Sequence, residues 1–518
     1  MAASIVSSNL TSGFIDLATF DELEKYMYGG KNSITYFVRE TRKSTWFTQV
    51  PTVLSRGSGT ADFGQEWSAN ISRAGDYLLQ VWLRVTLPSV GLKSPEVDQS
   101  TQGKQLRWTL NLMHNLIRES SITFNDLSAA RLDNFFLDFW AAFTVPAGKQ
   151  IGYDRMIGNI PQLTGTTGAP GIAPAPAGQT LPEVTLNLPL PYFFTRDSGV
   201  ALPTAALPYN EMRLQFWLRN WNELLIMDNV PGPLVPPTNT NPSSAPLASQ
   251  LVNGEPHLTN VYVWANYAIV SNDERKRMGC APRDILIEQV QTAPVQTYAP
   301  ATVRGPSYDI RFSHAIKALF FAVRNNTTPN QWSVYTTTGP FVQVTPGDPI
   351  DYSPTYNLGL AVDPILNTTL IYENTQRLSQ MGSDYFSLVQ PYYQPSAVIP
   401  VVTGYHMYSY SLDFLTLDPM GSTNYGKLTN VSVVPYASQE AVNANSNPPL
   451  YVAPPFTSGA YQQTYQFVCV AVNNNIIRIS GGALGKNSIG KPRTGRCQVS
   501  CVENLFGKTL ETTPVLCC

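Results

Sequence analysis

Charge, histidine and cysteine are all scarce in this chain. Asp, Glu, Lys and Arg make up 14% of 518 residues, well below the roughly 25% usual for soluble globular proteins. A formal net charge of −2 leaves no broad basic footprint for nucleic acid or an anionic membrane. The four histidines, His114, His257, His314 and His406, stand far apart without H-x-x-x-H or H-E-x-x-H spacing. Each therefore reads as a surface or core residue rather than a metal ligand. Cys280 and Cys469 are the only cysteines before the final stretch, so the body holds no disulfide framework. No apolar run reaches the length of a membrane span. The opening MAASIVSSNLTSGF lacks the basic start and long apolar core of a signal peptide. The expectation is synthesis in a reducing, cytosolic compartment, with the sequons Asn70-Ile71-Ser72 and Asn367-Thr368-Thr369 as chance matches.

Motifs that carry chemistry are missing too. There is no G-x-S-x-G elbow, no complete phosphate loop and no G-x-G-x-x-G after a strand. Gly481-Gly482-Ala483-Leu484-Gly485-Lys486 comes nearest to a phosphate loop. Ser480 stands where its first glycine belongs, Asn487 replaces the Mg²⁺-binding hydroxyl, and no helical pattern follows to supply a dipole. Asp133 and Asp138 would serve a β-rich glycosidase only by converging across a cleft. No catalytic, cofactor-binding or metal residue is assigned, and no enzyme activity or cofactor is expected.

What the chain does have is 26 Tyr, 22 Phe, 41 Pro and 35 Gly, a composition suited to many strands joined by long, proline-shaped loops. In the N-terminal arm, residues 1–45, Thr19 is placed to cap a short helix, with Glu22 as capping-box partner and Asp21 adding charge. Leu23, Tyr26 and Met27 share a face, and Gly29-Gly30 ends the helix. Such a helix needs a surface to lie on, either its own domain or a neighbour. Strands begin at Trp46. The clearest, Tyr77 to Leu87, places Tyr77, Leu79, Val81, Leu83, Val85 and Leu87 on one side. A strand at Ser120 to Phe124 closes at Asn125-Asp126. Leu132, Phe135, Phe136, Phe139, Trp140 and Phe143 then recur at helical spacing, a helix apolar enough to cover a sheet edge or a barrel end.

Pro161 to Pro182 and Pro231 to Gln250 read as long surface excursions. A strand at Val261 to Val270 follows, and the charged run Asp273 to Met278 is favoured over Pro231 to Gln250 as the boundary between two β-rich halves. Further strands are expected at Ile285 to Gln291, Ala315 to Arg324, Thr369 to Tyr372, Tyr405 to Leu412, Phe467 to Ala471 and Ile476 to Ile479. Ala315 to Arg324 is apolar almost throughout, as a strand covered on both faces would be. Loops around Thr327-Thr328-Pro329 and Pro346 to Pro349 separate them. From Lys486 the tail is basic and holds Cys497, Cys501, Cys517 and Cys518. With no histidine and no packed scaffold, it reads as a flexible appendage rather than a metal or disulfide clasp.

The chain is organised around Leu188 to Trp221. Pro189, Pro191, Pro203 and Pro208 keep its first part out of helix and out of any central strand. Thr195 to Gly199 supply a polar turn, with Arg196 and Asp197 as a salt bridge inside it. Met212, Leu214, Phe216 and Leu218 then alternate with polar positions, as in a half-buried strand. The stretch reads as a shaped connection delivering Glu211 to Arg219 into a sheet, and Asp197→Ala is expected to lower folding or assembly yield.

Pro191 to Phe216, PYFFTRDSGVALPTAALPYNEMRLQF, resembles a signature of the major capsid proteins of iridoviruses and related large DNA viruses. Other segments resemble the same family in its order. They include Thr11 to Pro51, Phe63 to Val85, Trp264 to Gly279, Ile285 to Gln291, Tyr385 to Tyr393, Tyr408 to Leu428 and Asn473 to Gly485. The resemblance implies an all-β fold of two consecutive eight-stranded antiparallel jelly rolls with a few short helices, at 46–278 and 279–485. It implies a structural subunit that forms homotrimers of pseudo-hexagonal outline and tiles an icosahedral virion shell. Neighbouring capsomers, minor capsid proteins and inner membrane-associated proteins would be its partners, with no direct nucleic acid and assembly in the host cytoplasm. The tail, 486–518, departs from the family pattern as an extension or an altered reading frame. The competing reading is a β-sandwich carbohydrate-binding or hydrolytic protein.

Overall fold

The computed structural model describes residues 2–164, 175–229, 243–280, 282–301, 303, 305–327, 330–337, 363–446, 462–480 and 483–486. Two compact units result, Met1–Trp46 and Phe47–Cys518. The first holds helices α1 (Ala2–Ala18) and α2 (Glu22–Tyr28). The cap of α2 is Asp21 and not Thr19: its carboxylate accepts from the Leu23 and Glu24 backbone N–H groups, and Glu24, not Glu22, returns the bond to Asp21 N–H. Asp reaches both orphan amides from one residue before the helix, so it displaces the threonine two residues earlier. Nothing in the apolar spacing announced α1.

Among the described residues the second unit is built on sixteen principal strands. Eight come first: β1 (Phe47–Val53), β2 (Glu66–Asn70), β3 (Tyr77–Leu87), β4 (Ile117–Phe124), β5 (Leu127–Asp133), β6 (Val184–Pro189), β7 (Met212–Leu218) and β8 (Thr259–Val270). They pair antiparallel as β1-β8-β3-β6 in one sheet and β2-β7-β4-β5 in the other, with Ser55–Gly59 on the β2 edge. Eight more follow: β9 (Arg283–Thr292), β10 (Tyr308–Asp309), β11 (Ala315–Asn325), β12 (Ile365–Tyr372), β13 (Thr375–Gly382), β14 (His406–Ser409), β15 (Val431–Ala437) and β16 (Tyr465–Ser480). Their sheets run β9-β16-β11-β14 and β10-β15-β12-β13. Adding eight to each label of the first pair gives the second, so two sandwiches repeat one wrapped strand order. That order, with first strand beside last and second beside seventh, is the jelly roll.

Local departures have local causes. In β3 the pairing skips Leu79, since Leu78 faces Tyr267 and Gln80 faces Asn266. This bulge reverses the alternation, so Leu78 is fully buried and Tyr77 and Leu79 are only partly so, against the one-sided face read from the sequence. Phe467 to Ile479 is one strand, not two, because Asn473 to Asn475 continue the ladder opposite Glu288 and its neighbours. Leu132 belongs to β5, and helix α4 (Asn134–Thr144) starts after Asp133, whose carboxylate accepts from Phe136 N–H at 2.7 Å. The charged run Asp273 to Met278 lies inside α6 (Asn272–Cys280), reached after α3 (Leu112–Leu116) and α5 (Ala147–Ile157). The expected loops at Pro161 to Pro182, Pro231 to Gln250 and Thr327 to Pro329 fall partly outside the described residues. Pro346 to Pro349 and the tail beyond Lys486 fall wholly outside them.

The wall β9-β16-β11 explains the continuous apolar run of β11. Ala318, Phe320 and Ala322 belong to the core of the first sandwich, together with Val468, Val470 and Val472 of β16. Leu319, Phe321 and Val323 turn the other way into a second core with Phe467, Cys469 and Ala471. Every residue from Ile316 to Asn325 is buried. A strand between two cores has no solvent face, so its polar alternation disappears.

Candidate functional site at the seam of the two sandwiches

Helix α4 is the wedge of this seam. Its Phe139 and Phe143 rings lie 5.9 and 5.6 Å from Phe320 of β11, both near parallel. Each fully buried Phe contributes on the order of 1.5–3 kcal/mol by leaving water. The helix covers neither a free edge nor a barrel end; it faces the wall of the other sandwich. Polar contacts fix the position around it. Gln289 Nε2 donates to Ala129 O at 2.5 Å, and Thr292 Oγ1 donates to the Asp133 carboxylate. Burial raises the Asp133 pKa, with the Thr292 and Phe136 donors pulling it back.

Arg196 is central to the organising stretch, and its partner is not Asp197. Its guanidinium lies 3.1 Å from Glu288 of β9 and 3.4 Å above the Trp140 ring of α4. Lys317 of β11 holds the same Glu288 at 2.7 Å and also donates to Thr416 O. All three side chains are nearly or fully buried. Burial lowers the Arg196 pKa, and the Glu288 charge opposes that fall. Asp197 instead accepts from Gly199 N–H at 3.1 Å, closing the short 3-10 turn beside it. Two adjacent opposite charges in a turn read as a pair in sequence; the fold sends only the longer one across the seam.

Residues 330–337 of the second sandwich insert into the first. Asn330 Nδ2 donates to Asn222 O and Leu225 O at 2.8 and 2.7 Å, and Trp332 Nε1 donates to Glu223 O at 3.0 Å. The Trp332 ring meets Arg219 at 3.6 Å and Arg324 at 4.3 Å. Burial first of all brings both guanidinium pKa values down to about 10. Beside them Asp138 accepts from Ser333 Oγ (2.6 Å), Tyr335 OH (3.1 Å), Asn111 Nδ2 (3.1 Å) and His114 Nδ1 (2.7 Å). His114 Nε2 pairs with Tyr153 OH at 2.7 Å.

This is adhesive geometry. Asp133 caps α4 while Asp138 anchors Ser333 and Tyr335, so the two carboxylates expected of a hydrolase serve separate structural bonds. Ser383, His406 and Asp363 gather in the second sandwich, but Ser383 Oγ and Asp363 Oδ2 both meet His406 Nε2, at 2.7 and 2.8 Å. A nucleophile relay needs its base and its orienting carboxylate on opposite ring nitrogens. His257 and His314 are exposed. Among the described residues no group of three His, Cys, Asp or Glu could hold a metal. Ala483–Lys486 forms a strand on Ile477–Ser480, not the turn into a helix that a phosphate cradle requires; Gly481 and Gly482 lie outside the described residues. Glu288, Lys317 and the insert at 330–337 escaped the sequence reading, since a lone charge in an apolar strand was the only sign of each ion-pair member.

Comparison with known proteins places this geometry. Residues 35–270 match the family model described as major capsid protein N-terminus, and 274–485 match that of the large eukaryotic DNA virus major capsid protein. The major capsid protein of Costelytra zealandica iridescent virus is 61% identical over 93% of this chain and 99% of its own length. That of Lymphocystis disease virus 1 is 47% identical over the same shares. Among solved structures, PBCV-1 VP54 superposes with a TM-score of 0.64 over 87% of this chain and 99% of its own, at 22% identity. The Faustovirus major capsid protein gives 0.59 over 93% and 99%, at 12% identity. Those two likenesses confirm the double jelly roll, and the named relatives set aside the carbohydrate-binding or hydrolytic reading. The chain belongs to the major capsid protein family of iridoviruses and other large DNA viruses, a structural, non-enzymatic component of the virion capsid.

Proposed function

We propose that three copies of this chain assemble into a capsomer of pseudo-hexagonal outline that tiles an icosahedral shell. The repeated strand order carries the reading: each chain supplies two equivalent sandwiches, so a three-fold assembly presents six similar corners. The seam supports it, because Phe139, Arg196 and Trp332 fix the two sandwiches as one rigid block. The first sandwich is taken to span 46–278 and the second 279–485, with α6 as the crossover. The arm, 1–45, whose Leu23, Tyr26 and Met27 are exposed, is proposed to reach a neighbour. Minor capsid proteins and inner membrane-associated proteins would meet the inner face, without direct nucleic acid contact, after synthesis and assembly in the host cytoplasm. Native mass measurement on the purified chain tests the core of this: a trimer is expected, and a stable monomer with no higher assembly would sink it.

A further inference from the structure

A cavity of about 270 Å³ opens where the seam meets α5. Asn111, Asp138, Tyr153 and Asp154 line it from the first sandwich, and Val401 and Tyr405 from the second. Its volume falls just below the range of drug-sized ligand sites, so it suits a smaller occupant.

The charges in it are unbalanced. No Lys or Arg lines it among the described residues. Asp138 is saturated by its four donors. Asp154 is not: among the described residues its one side-chain partner is Asn159 Nδ2 at 3.5 Å, the outer limit of a hydrogen bond. Burial raises the Asp154 pKa, and neither Asn159 nor the more distant His114 offsets that. A half-enclosed carboxylate without a good donor, beside tyrosine rings, forms an environment that attracts a cation.

We infer that this cavity binds a small organic ammonium ion, with Asp154 as its counter-ion and Tyr153 and Tyr405 as its walls. A bound ammonium donates to the free Asp154 oxygen, and its short apolar body lies against Val401 and Ile157. An anion of equal size meets two carboxylates and, among the described residues, neither Lys nor Arg, so it is rejected. Because both sandwiches wall the cavity, the occupant tightens the seam from outside the ion-pair network.

The probe is n-propylammonium, with n-propanol and propionate as neutral and anionic counterparts of the same size. Titration calorimetry and thermal melting are run on the full-length chain. Saturable binding and a rising midpoint are expected for n-propylammonium alone. Asp154→Asn should weaken binding at least tenfold. Val401→Phe, at an exposed position on the opposite wall, should do the same by filling the mouth while leaving the unliganded melting curve unchanged. Absence of saturable n-propylammonium binding overturns the inference, as does equal binding of all three probes. Full affinity in either folded variant would overturn it too.

Discussion

Asn125 and Glu373 hold the same place in the two sandwiches. Each is the first residue of a two-residue hairpin turn, between β4 and β5 or between β12 and β13, with φ of 48° and 47°. Each backbone N–H donates to the residue just before the seventh strand, Asn125 to Glu211 O and Glu373 to Asn430 O. Each side chain accepts in return: Asn125 Oδ1 from Glu211 N–H, Glu373 Oε1 from Thr429 and Asn430 N–H. Asn tolerates this left-handed backbone better than Glu does, so Glu373 is held there by its two accepted bonds. Glu373→Ala is expected to lower stability by about 1–2 kcal/mol. Glu373→Asn, which installs the residue of the first sandwich, should stay within about 0.5 kcal/mol of the parent. Urea unfolding of the two variants checks this.

The Arg196–Glu288–Lys317 cluster predicts an asymmetry. Glu288→Gln leaves two cations buried without their anion, which costs about 3–5 kcal/mol. Arg196→Met leaves Glu288 paired with Lys317 and keeps an apolar chain beside Trp140, so its cost should be clearly smaller. Asp197→Ala, which removes one bond in an exposed turn, should cost no more than about 1 kcal/mol. The ranking Glu288→Gln, Arg196→Met, Asp197→Ala in denaturant midpoints is the expected result. An Asp197 variant as damaged as the Glu288 variant would restore the simple turn pair.

Legibility followed the length of the signal. Long runs such as Val261 to Val270, with its period of two, and Ala315 to Arg324, apolar almost throughout, could be read directly, because burial on one face imposes a period on side chains and burial on both removes it. The turn at Asn125-Asp126 was visible because both residues suit it; Glu373-Asn374 was not, because glutamate does not. The bulge at Leu79 left no mark, since leucine on either side satisfies the pattern. The seam was hidden for a different reason. Arg196, Glu288 and Trp332 are far apart in sequence, and only the packing of one sandwich on the other gives each a partner.

Acid sensitivity should arise in part at the crossover. Asp76, beside β3, is buried, which raises its pKa. The Arg275 guanidinium at 2.7 and 3.0 Å and the Val270 N–H outweigh that and hold it below its ordinary 3.8. A carboxyl with a lowered folded-state pKa gives stability that is full above its unfolded value. That stability is lost as pH falls through the folded value. Below about pH 4 the parent should therefore lose stability more steeply than Asp76→Asn, which has no such proton to take up. Denaturant midpoints from pH 6 to pH 2.5 give the comparison; parallel curves would remove Asp76 from the account.

Phe320 and Phe321 are adjacent in β11 and belong to different cores. Phe320 meets Phe139, Phe143 and Phe414 of the first core, while Phe321 meets Phe386 and the His406 ring of the second. Alanine at either position opens a cavity costing about 3–5 kcal/mol. The consequences should differ in kind. Phe321→Ala weakens the second sandwich internally and leaves the seam packed, so calorimetry should show one transition at lower temperature. Phe320→Ala removes the ring against which α4 is wedged, which loosens the coupling of the sandwiches as well as their stability. Its melting should broaden or split into two transitions, with the calorimetric enthalpy exceeding the van't Hoff enthalpy. Identical single transitions in both variants would mean that cooperativity across the seam rests on the ion pairs and the insert at 330–337, not on the aromatic wedge.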